Sequence, residues 1–300
     1  MANIMKIINF GSLNIDKVCS VEEFVQPGET IMATGYSVNA GGKGLNQSVA
    51  AARAGAQVLH AGAVGSDGLF LKEILADAGA DVSCLRTMDT ESGCAFIEVN
   101  SKGQNRIIVS AGTNRMYTEE YIQSVLEKAE AGDFVLLQNE INMLDYIIDQ
   151  AYEKKMKIVM NPSPFDDKLN SCDLGKVYLF LVNEIEGEQI TGCKDKDQIL
   201  DALAEKYPNA RFVLTLGSDG AVYYDGKEKV FQDIFKVKAV DTTAAGDTFT
   251  GYFIASTIEG RSVQESLRIA AKASSIAVSR PGATPSIPTA EEVKKELGIE

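Results

Sequence analysis

The chain has 300 residues, of which 45% are hydrophobic and 24% are charged, a composition that supports a folded core and excludes a largely disordered chain. The net charge of -13 repels phosphate backbones and anionic lipids, so we expect no nucleic-acid or membrane partner. The length lies near the upper limit for one hydrophobic core, which favours a single domain over residues 1–300, with two domains as the alternative.

The counts of individual residue types exclude several chemistries. The single histidine, His60, leaves no basis for a His-rich zinc site or for most Ser-His and Cys-His nucleophilic systems. It lies in a strand-like run at 57–62, and we expect it to be a hydrogen-bonded sheet residue. The five cysteines form no CxxC pair, which fits a reducing compartment. Residues 1–10 lack the apolar segment of a signal peptide, so we expect a soluble, cytoplasmic protein.

Short apolar runs along the chain predict buried strands, and segments with helical periodicity separate them. Leu45, Val49 and Ala52 recur on one face of an early helix, and Phe249 and Phe253 share a face of a later one. This alternation predicts an α/β, Rossmann-like three-layer fold whose mostly parallel central sheet is covered by helices. The predicted strands are residues 7–10, 134–137, 157–160, 178–182 and 212–216.

Two regions depart from this alternation, at about 15–40 and 88–110. In the second region, two strand-like runs flank a polar turn at 102–105, a pattern typical of a β-hairpin. We therefore predict a small group of strands inserted into the α/β body. Strands outside the main sheet suit a lid or a subunit contact.

Polar residues follow the first predicted strand. Asn14 and Asp16 are two positions apart, so an extended backbone would direct both side chains to one face. Two short polar groups on one face suit vicinal hydroxyls, whereas the alternative is that both are turn residues closing the strand. A glycine-rich segment, residues 39–47, then leads into the first helix. It is not a Walker A loop, because Lys43 is followed by Gly44 rather than by Ser or Thr.

Two later strands also end in polar residues. Asn183 and Glu186 have the spacing of a capping box, and the alternative places both beside phosphates and a magnesium ion, directly or through water. Residues 215–220, Thr-Leu-Gly-Ser-Asp-Gly, end the next strand in a polar turn. Open α/β sheets bind nucleotides at such strand ends.

The most informative segment is residues 240–249, where a run of small residues opens into a helical pattern. Small side chains let backbone N–H groups approach a ligand, and the start of a helix favours an anion such as a phosphoryl group. Asp247 falls in or just before the first turn, where a carboxylate can also serve only to complement the helix dipole. That alternative does not explain the second acid, Asp241.

Together, four motifs resemble the PfkB carbohydrate kinase family: residues 11–16 (GSLNID), 41–47 (GGKGLNQ), 183–186 (NEIE) and 241–247 (DTTAAGD). The resemblance runs from Gly11 to about Pro288, and the second motif is similar to that of the ribose-phosphorylating branch. It implies transfer of the ATP γ-phosphate to the primary hydroxyl of a pentose, foremost D-ribose to D-ribose 5-phosphate. The alternatives are a kinase for deoxyribose, for a hexose such as fructose or for a nucleoside, and, more distantly, a non-catalytic sugar-binding regulator.

The resemblance also implies roles for individual residues. Asp247 matches the catalytic base, and the amides of Ala244, Ala245, Gly246 and Asp247 match the anion hole. The sugar site would comprise Asn14, Asp16, Gly42, Lys43, Asn46, Glu140 and Asp247. The nucleotide site would comprise Asn183, Thr215, Gly217, Ser218, Gly220 and Gly246. Mg²⁺ is expected at Glu186, and K⁺ at groups, mostly backbone carbonyls, of Asp241, Thr243, Ala277, Arg280, Gly282 and Ser286.

The resemblance further implies that the inserted strands close over the sugar and form the contact of a homodimer. Phe96 is a candidate lid residue over the sugar, and the alternative is a position in the core of the hairpin. The predicted ligands are thus a small sugar and ATP. Around Ala271, where relatives often carry a polar or larger residue, the small side chains leave the base selectivity open.

Overall fold

The computed structural model describes residues 5–299, so positions 1–4 and 300 of the predicted domain, and part of the stretch 1–10, lie outside the described residues. The strands are Ile7–Phe10 (β1), Asn14–Ser20 (β2), Gly35–Gly41 (β3), Val58–Gly65 (β4), Leu85–Met88 (β5), Gly93–Val99 (β6), Asn105–Ser110 (β7), Phe134–Gln138 (β8), Lys157–Asn161 (β9), Leu179–Asn183 (β10), Arg211–Thr215 (β11), Ala221–Tyr224 (β12) and Lys229–Gln232 (β13). The helices are Lys43–Arg53 (α1), Leu69–Asp77 (α2), Glu119–Leu126 (α3), Leu144–Glu153 (α4), Glu184–Thr191 (α5), Lys196–Lys206 (α6), Ala245–Ile258 (α7), Val263–Val278 (α8) and Ala290–Leu297 (α9).

The larger sheet has the strand order β13-β12-β11-β10-β9-β8-β1-β4-β5. Its strands pair in parallel from β5 to β11, and β12 and β13 extend one edge in antiparallel pairing. All the strands predicted from apolar runs lie in this sheet, so the mostly parallel α/β fold is confirmed. A continuous apolar run marks such strands because both of their faces are buried.

Two apolar clusters cover the two faces of this sheet. Ile122 of α3 and Ile148 of α4 belong to the first cluster, which also includes side chains of α5 and α6. Val49 of α1 and Phe253 of α7 belong to the second, together with side chains of α2, α8 and α9. The rings of Phe249 and Phe253 stack with centroids 6.2 Å apart, which confirms their common helix face. In the described part of the chain, no helix is both long and apolar enough to cross a bilayer.

His60 lies in β4 and is fully buried. Its Nδ1 atom is 2.8 Å from the hydroxyl of Ser48 on α1, so the prediction of a hydrogen-bonded sheet residue is confirmed. Burial lowers the pKa of His60 to about 4. The imidazole is therefore neutral at physiological pH and has a structural role in the core.

A second sheet, with the order β3-β2-β6-β7, occupies the two regions that depart from the strand and helix alternation. The hairpins β2–β3 and β6–β7 are antiparallel, and β2 and β6 join them through a parallel pairing. The sheet has two distinct faces because side chains alternate along each strand.

The register places Phe96 away from the predicted sugar site. Phe96 pairs with Lys17, whereas Asp16 pairs with Ala95, so Phe96 and Asp16 lie on opposite faces. The ring is 48% exposed, and the Lys17 ammonium lies 5.3 Å from its centroid. Both interpretations of Phe96, as a residue over the sugar and as a hairpin core residue, are therefore wrong. Ala95 and Ile97 share the face of Asp16.

Candidate active site

The start of α7 is built from small residues and carries a buried carboxylate. Ala244 caps the helix in a left-handed conformation with φ 60°, and Asp247 is the third helical residue. The first N–H groups of a helix have no partner within the helix, and among the described residues those of Gly246 and Asp247 have no hydrogen-bond acceptor. Two free N–H groups at a helix start form a site for an anion.

Two amides of α1 hold the Asp247 carboxylate. Its Oδ1 accepts a hydrogen bond from Gln47 Nε2 at 2.9 Å, and its Oδ2 accepts one from Asn46 Nδ2 at 3.1 Å. Asn46 is itself oriented by the Thr284 hydroxyl, which donates to Asn46 Oδ1 at 2.9 Å. The carboxylate is 8% exposed, so it is fixed in direction and still reaches the adjoining cavity.

Asn14 and Asp16 lie within β2, not in a turn, so the alternative of turn residues is wrong. Asn14 accepts a hydrogen bond from Asn114 Nδ2 at 2.8 Å. A Cβ atom on Gly41 would lie 2.1 Å from the Asp16 carboxylate, so a side chain at position 41 would displace this carboxylate. The next residue, Gly42, has φ 93°, a conformation that glycine adopts without strain.

Glu140, which follows β8, contacts both Ser12, just before β2, and the first turn of α1. Its Oε2 accepts hydrogen bonds from the Ser12 hydroxyl and from the backbone N–H of Lys43, the latter at 3.0 Å. Burial raises the pKa of Glu140 above its ordinary value, although Lys43 and these hydrogen bonds oppose the effect. Burial also raises the pKa of Asp16 to about 7, and the charge of Glu140 contributes to this.

Lys43 is surrounded by carboxylates. Burial alone would lower its pKa, but the charges of Asp247, Glu140 and Glu186 outweigh burial and raise it. The ammonium is therefore charged at neutral pH and lines a cavity of about 230 Å³. Asn161, Asn183, Glu186, Thr215, Ala244, Ala245, Gly246 and Asp247 also line this cavity. A fixed positive charge beside free N–H groups suits an anionic phosphate.

A second cavity of about 780 Å³ adjoins the first and shares Asn183, Thr215 and Gly246 with it. Its polar end lies at the carboxyl ends of β10 and β11, where open α/β sheets bind nucleotides. The predicted residues Gly217, Ser218 and Gly220 line this end. The opposite wall is largely apolar and includes Val237, Phe249, Ala271 and Val278.

Asn183 and Glu186 form the capping box that their spacing predicts. The Asn183 side chain accepts from the Glu186 N–H at 2.9 Å, and Glu186 Oε2 accepts from the Asn183 N–H at 3.1 Å. Both residues nevertheless line the smaller cavity. The structural role therefore accounts for the spacing without removing either side chain from the cavity.

The predicted cation-binding residues lie in two segments, 241–243 and 277–286, which a hydrogen bond from Gly282 to Asp241 connects. The Asp241 carboxylate accepts from the N–H groups of Thr243 and Gly282, each at 2.9 Å. Burial alone would raise its pKa, but these hydrogen bonds outweigh burial and lower it. The Ala277 carbonyl accepts from the Arg280 N–H at 3.0 Å. The Arg280 guanidinium contacts Glu292, and the Ser286 hydroxyl donates to the Ala283 carbonyl at 2.7 Å.

The structure thus brings the predicted residues into three adjoining groups. Asp247, Lys43 and the strand ends of β10 and β11 share the cavities; Asn14, Asp16 and Glu140 lie next to Lys43; and the Asp241 group lies behind the start of α7. In residues 5–299, no cluster of three or more His, Cys, Asp or Glu side chains could hold a metal ion. A carboxylate such as Glu186 can still contact a divalent ion that is bound mainly by phosphates and water.

Several residues of this region were not predicted from the sequence. They are the hydrogen-bonding partners that hold the predicted side chains: Ser12, Gln47, Asn114, Asn161 and Thr284. Gln47 belongs to the second motif, and its place directly after Asn46 was the available signal.

A buried carboxylate at an anion-binding helix start, beside a cavity of nucleotide size at the sheet's carboxyl edge, defines a phosphotransferase with an alcohol acceptor. The family model described as pfkB family carbohydrate kinase matches residues 5–290. The chain belongs to this family, which confirms the resemblance of its motifs.

Individual relatives cover the whole length of the match. The chain is 35% identical to the ribokinase of Haemophilus influenzae, over 96% of each chain. It is 36% identical to the ribokinase of Bacillus subtilis, over 99% of this chain and all of the relative. It also superimposes on the structure of Arabidopsis thaliana ribokinase complexed with ribose and ATP, with a TM-score of 0.89 and 29% identity, over 99% of this chain and 100% of that one.

Proposed function

We propose that this protein is an ATP-dependent sugar kinase that phosphorylates D-ribose on its primary hydroxyl, yielding D-ribose 5-phosphate and ADP. The observation that carries the proposal is the Asp247 carboxylate, which lies beside the free N–H groups of Gly246 and Asp247. The similarity to ribokinases over nearly the whole chain supports ribose as the acceptor. Asp247 and the anion loop 244–247 are both intact, which argues against a non-catalytic regulator.

In the proposed reaction, Asp247 accepts the proton of the attacking hydroxyl. The hydroxyl oxygen forms a bond to the γ-phosphorus, the bond from that phosphorus to the bridging oxygen breaks, and ADP leaves with the electron pair. The free N–H groups of Gly246 and Asp247 and the Lys43 ammonium stabilise the negative charge of the transferring group, whereas the predicted Ala245 N–H donates to the Thr242 carbonyl at 3.2 Å. Alignment by fixed groups supplies much of the acceleration in such transfers.

The sugar is proposed to bind where β2, α1 and the end of β8 meet. Asp16 and Glu140 offer carboxylate acceptors for vicinal hydroxyls, and Asn14 and Asn46 offer amides. Gly42 and Lys43 complete the site at the start of α1. A hydroxyl held between this group and Asp247 would face the anion-binding N–H groups.

ATP is proposed to occupy the larger cavity. Its phosphates would point toward the start of α7, and its base would pack against the apolar wall that includes Phe249 and Ala271. The polar end of the cavity offers hydrogen-bonding groups to the ribose and phosphates of ATP. These groups belong to Asn183, Thr215, Gly217, Ser218, Gly220 and Gly246.

Two ions fit the residues present. Mg²⁺ bound to the nucleotide phosphates would neutralise their charge, with Glu186 as a contact, directly or through water. K⁺ suits the group behind α7, because two N–H groups hold the Asp241 carboxylate in place there. The carbonyls and hydroxyls would come from Thr243, Ala277, Arg280, Gly282 and Ser286, and Arg280 can contribute only its carbonyl because its side chain has no acceptor.

We further propose that residues 1–300 form one cytoplasmic kinase domain, in which the second sheet is both lid and homodimer contact. Tyr36, Val38, Phe96 and Ile108 share the face opposite Asp16. These side chains are between 48% and 72% exposed, and an exposed apolar surface of this kind is typical of a protein interface. The free state of all five cysteines fits a reducing compartment.

A coupled ADP-release assay tests the proposed function. Purified protein with ATP and Mg²⁺ is given ribose, deoxyribose, fructose or adenosine, and the values of kcat/KM are compared. We expect ribose to give the highest value. A higher value for another acceptor would overturn the assignment of ribose, and no ADP release with any acceptor would overturn the assignment as a kinase.

A further inference from the structure

A chain of buried side-chain amides runs beneath the site, from the core of the sheet to Asp247. Asn9 of β1 and Gln138 of β8 lie on the sheet face that α1 covers, and both are at most 1% exposed. Gln138 Nε2 donates to Asn9 Oδ1 at 3.1 Å and to Gln47 Oε1 at 2.7 Å. Gln47 Nε2 then donates to Asp247 Oδ1 at 2.9 Å. Asn9, Gln138 and Gln47 line neither cavity.

The orientation of each amide in this series is fixed by the contact that Asn9 makes at the end far from Asp247. Asn9 Nδ2 donates at 2.8 Å to the Gly44 carbonyl, which can only accept, so Asn9 Oδ1 must face Gln138. Gln138 must then present N–H groups to both neighbours. The Oε1 atom of Gln47 faces Gln138, and the N–H groups of Gln47 are left for Asp247.

A second anchor gives the same orientation. Asn161 Nδ2 donates to the Leu181 carbonyl at 2.9 Å, so Asn161 Oδ1 accepts from Gln47 Nε2 at 3.1 Å. Both N–H groups of Gln47 are thus committed, one to Asn161 and one to Asp247. Rotation of the Gln47 amide by a half turn would oppose acceptor to acceptor at Asn161 and at Asp247, and donor to donor at Gln138. Because each contact pairs a donor with an acceptor, the connected donors and acceptors of this buried network favour one arrangement of its members.

We propose that Asn9 and Gln138 are positioning residues for phosphoryl transfer: through Gln47, they orient the Asp247 carboxylate toward the acceptor hydroxyl. This inference rests on the proposed role of Asp247 as base. Neither residue would touch sugar or nucleotide. Their effect is therefore expected in kcat, which depends on the alignment of the base, more than in either KM.

Gln138→Glu tests this relay, because an ionised carboxylate cannot donate to Gln47 or to Asn9. We expect kcat for ribose to fall about 10- to 100-fold at alkaline pH, with each KM changed less than about threefold. Lowering the pH protonates the introduced carboxylate, which restores one donor, so the ratio of variant to wild-type kcat should rise toward acid. Gln198→Glu, an exposed position on α6, controls for the added charge.

The other titratable groups around the network are Asp247, Lys43, Glu140 and His60. All four are present in the wild-type protein, so the ratio of the two proteins removes their contribution. His60, with a pKa of about 4, stays neutral over the assayed range. Gln138→Met, which has no donor at any pH, should lower kcat without the recovery at acid pH, and it provides a second test if the charged variant does not fold.

Thermal unfolding and circular dichroism establish that each variant is folded before its kinetics are compared. A kcat close to that of the wild type in both folded variants, over the whole pH range, would overturn the proposal. A loss in Gln138→Glu that is identical at every pH, or that appears mainly as a lower folded fraction, would also overturn it. If wild-type protein phosphorylates ribose and Asp247→Asn does not, either result leaves the proposed function standing.

Discussion

Replacing Asp16 with asparagine removes a carboxylate whose ionisation lowers the stability of the folded protein. Asp16 lies in β2 facing Gly41, and within residues 5–299 no side chain or backbone group donates a hydrogen bond to it. Burial, and after it the charge of Glu140, raises its pKa from the ordinary 3.8 to about 7. Asparagine has the same shape and carries no charge, so Asp16→Asn separates the contribution of the ionised carboxylate to stability from its contribution to sugar binding.

The sign follows from the raised pKa. As pH rises from about 4 to about 7, the unfolded chain has lost this proton while the folded chain keeps it, so Asp16 lowers stability progressively over that window. The full difference in pKa corresponds to about 4 kcal/mol. Partial exposure to solvent reduces the expected effect to about 1 to 3 kcal/mol. Asp16→Asn should therefore be more stable than the wild type by that amount above neutral pH, with a smaller difference in acid.

Urea unfolding at about pH 5 and about pH 8 measures this difference, and Asp89→Asn, at an exposed position, is the matched control. Titration calorimetry should show that Asp16→Asn binds ribose at least about tenfold more weakly, because charged hydrogen bonds are lost. Wild-type protein should release protons when ribose binds near neutral pH. Equal stability of variant and wild type at alkaline pH, or unchanged ribose affinity, would refute this reasoning.

Three further changes test other parts of the site. Thr284→Val removes the hydroxyl that orients Asn46 and should lower kcat about 3- to 10-fold, whereas Thr284→Ser should retain it; equal rates for both would contradict this. Gly41→Ala places a methyl group against Asp16 and should raise the KM for ribose about tenfold or more without changing that for ATP; unchanged steady-state constants would exclude the close approach. Potassium should give a higher kcat than sodium, and Asp241→Asn should abolish the difference; equal rates over a full titration of both salts would rule out a potassium site.

The central strands of the fold could be predicted from the sequence because their signal is local. Strands β8 to β11 are continuous apolar runs, which burial on both faces of a parallel sheet requires. The edge strands β12 and β13 were missed, since Ala221–Tyr224 and Lys229–Gln232 are short and their pattern reflects pairing with a neighbour. The face of the small sheet on which Phe96 lies was also not predicted. It depends on the register between β2 and β6, which the hairpin pattern does not encode.

The predicted site residues followed from motifs at strand ends and helix starts, whereas the residues that support them did not. Gln138 contacts Gln47 across 91 positions, and Gln47 contacts Asp247 across 200, so no local pattern links them. The apolar run 7–10 nevertheless contained a signal for this buried network. Asn9 is a polar residue within a buried strand, and such a residue requires hydrogen-bond partners.

The most direct test of the account combines product identification with the loss of the proposed base. Ribose and ATP are incubated with wild-type protein and with Asp247→Asn, and the products are followed by ³¹P NMR. The wild type should form ADP and a phosphate ester at the primary hydroxyl. The folded variant should still bind ribose and be slower by a factor of about 10² to 10⁴, the contribution typical of a general base. An ester at another position, or near-normal turnover by Asp247→Asn, would contradict the account.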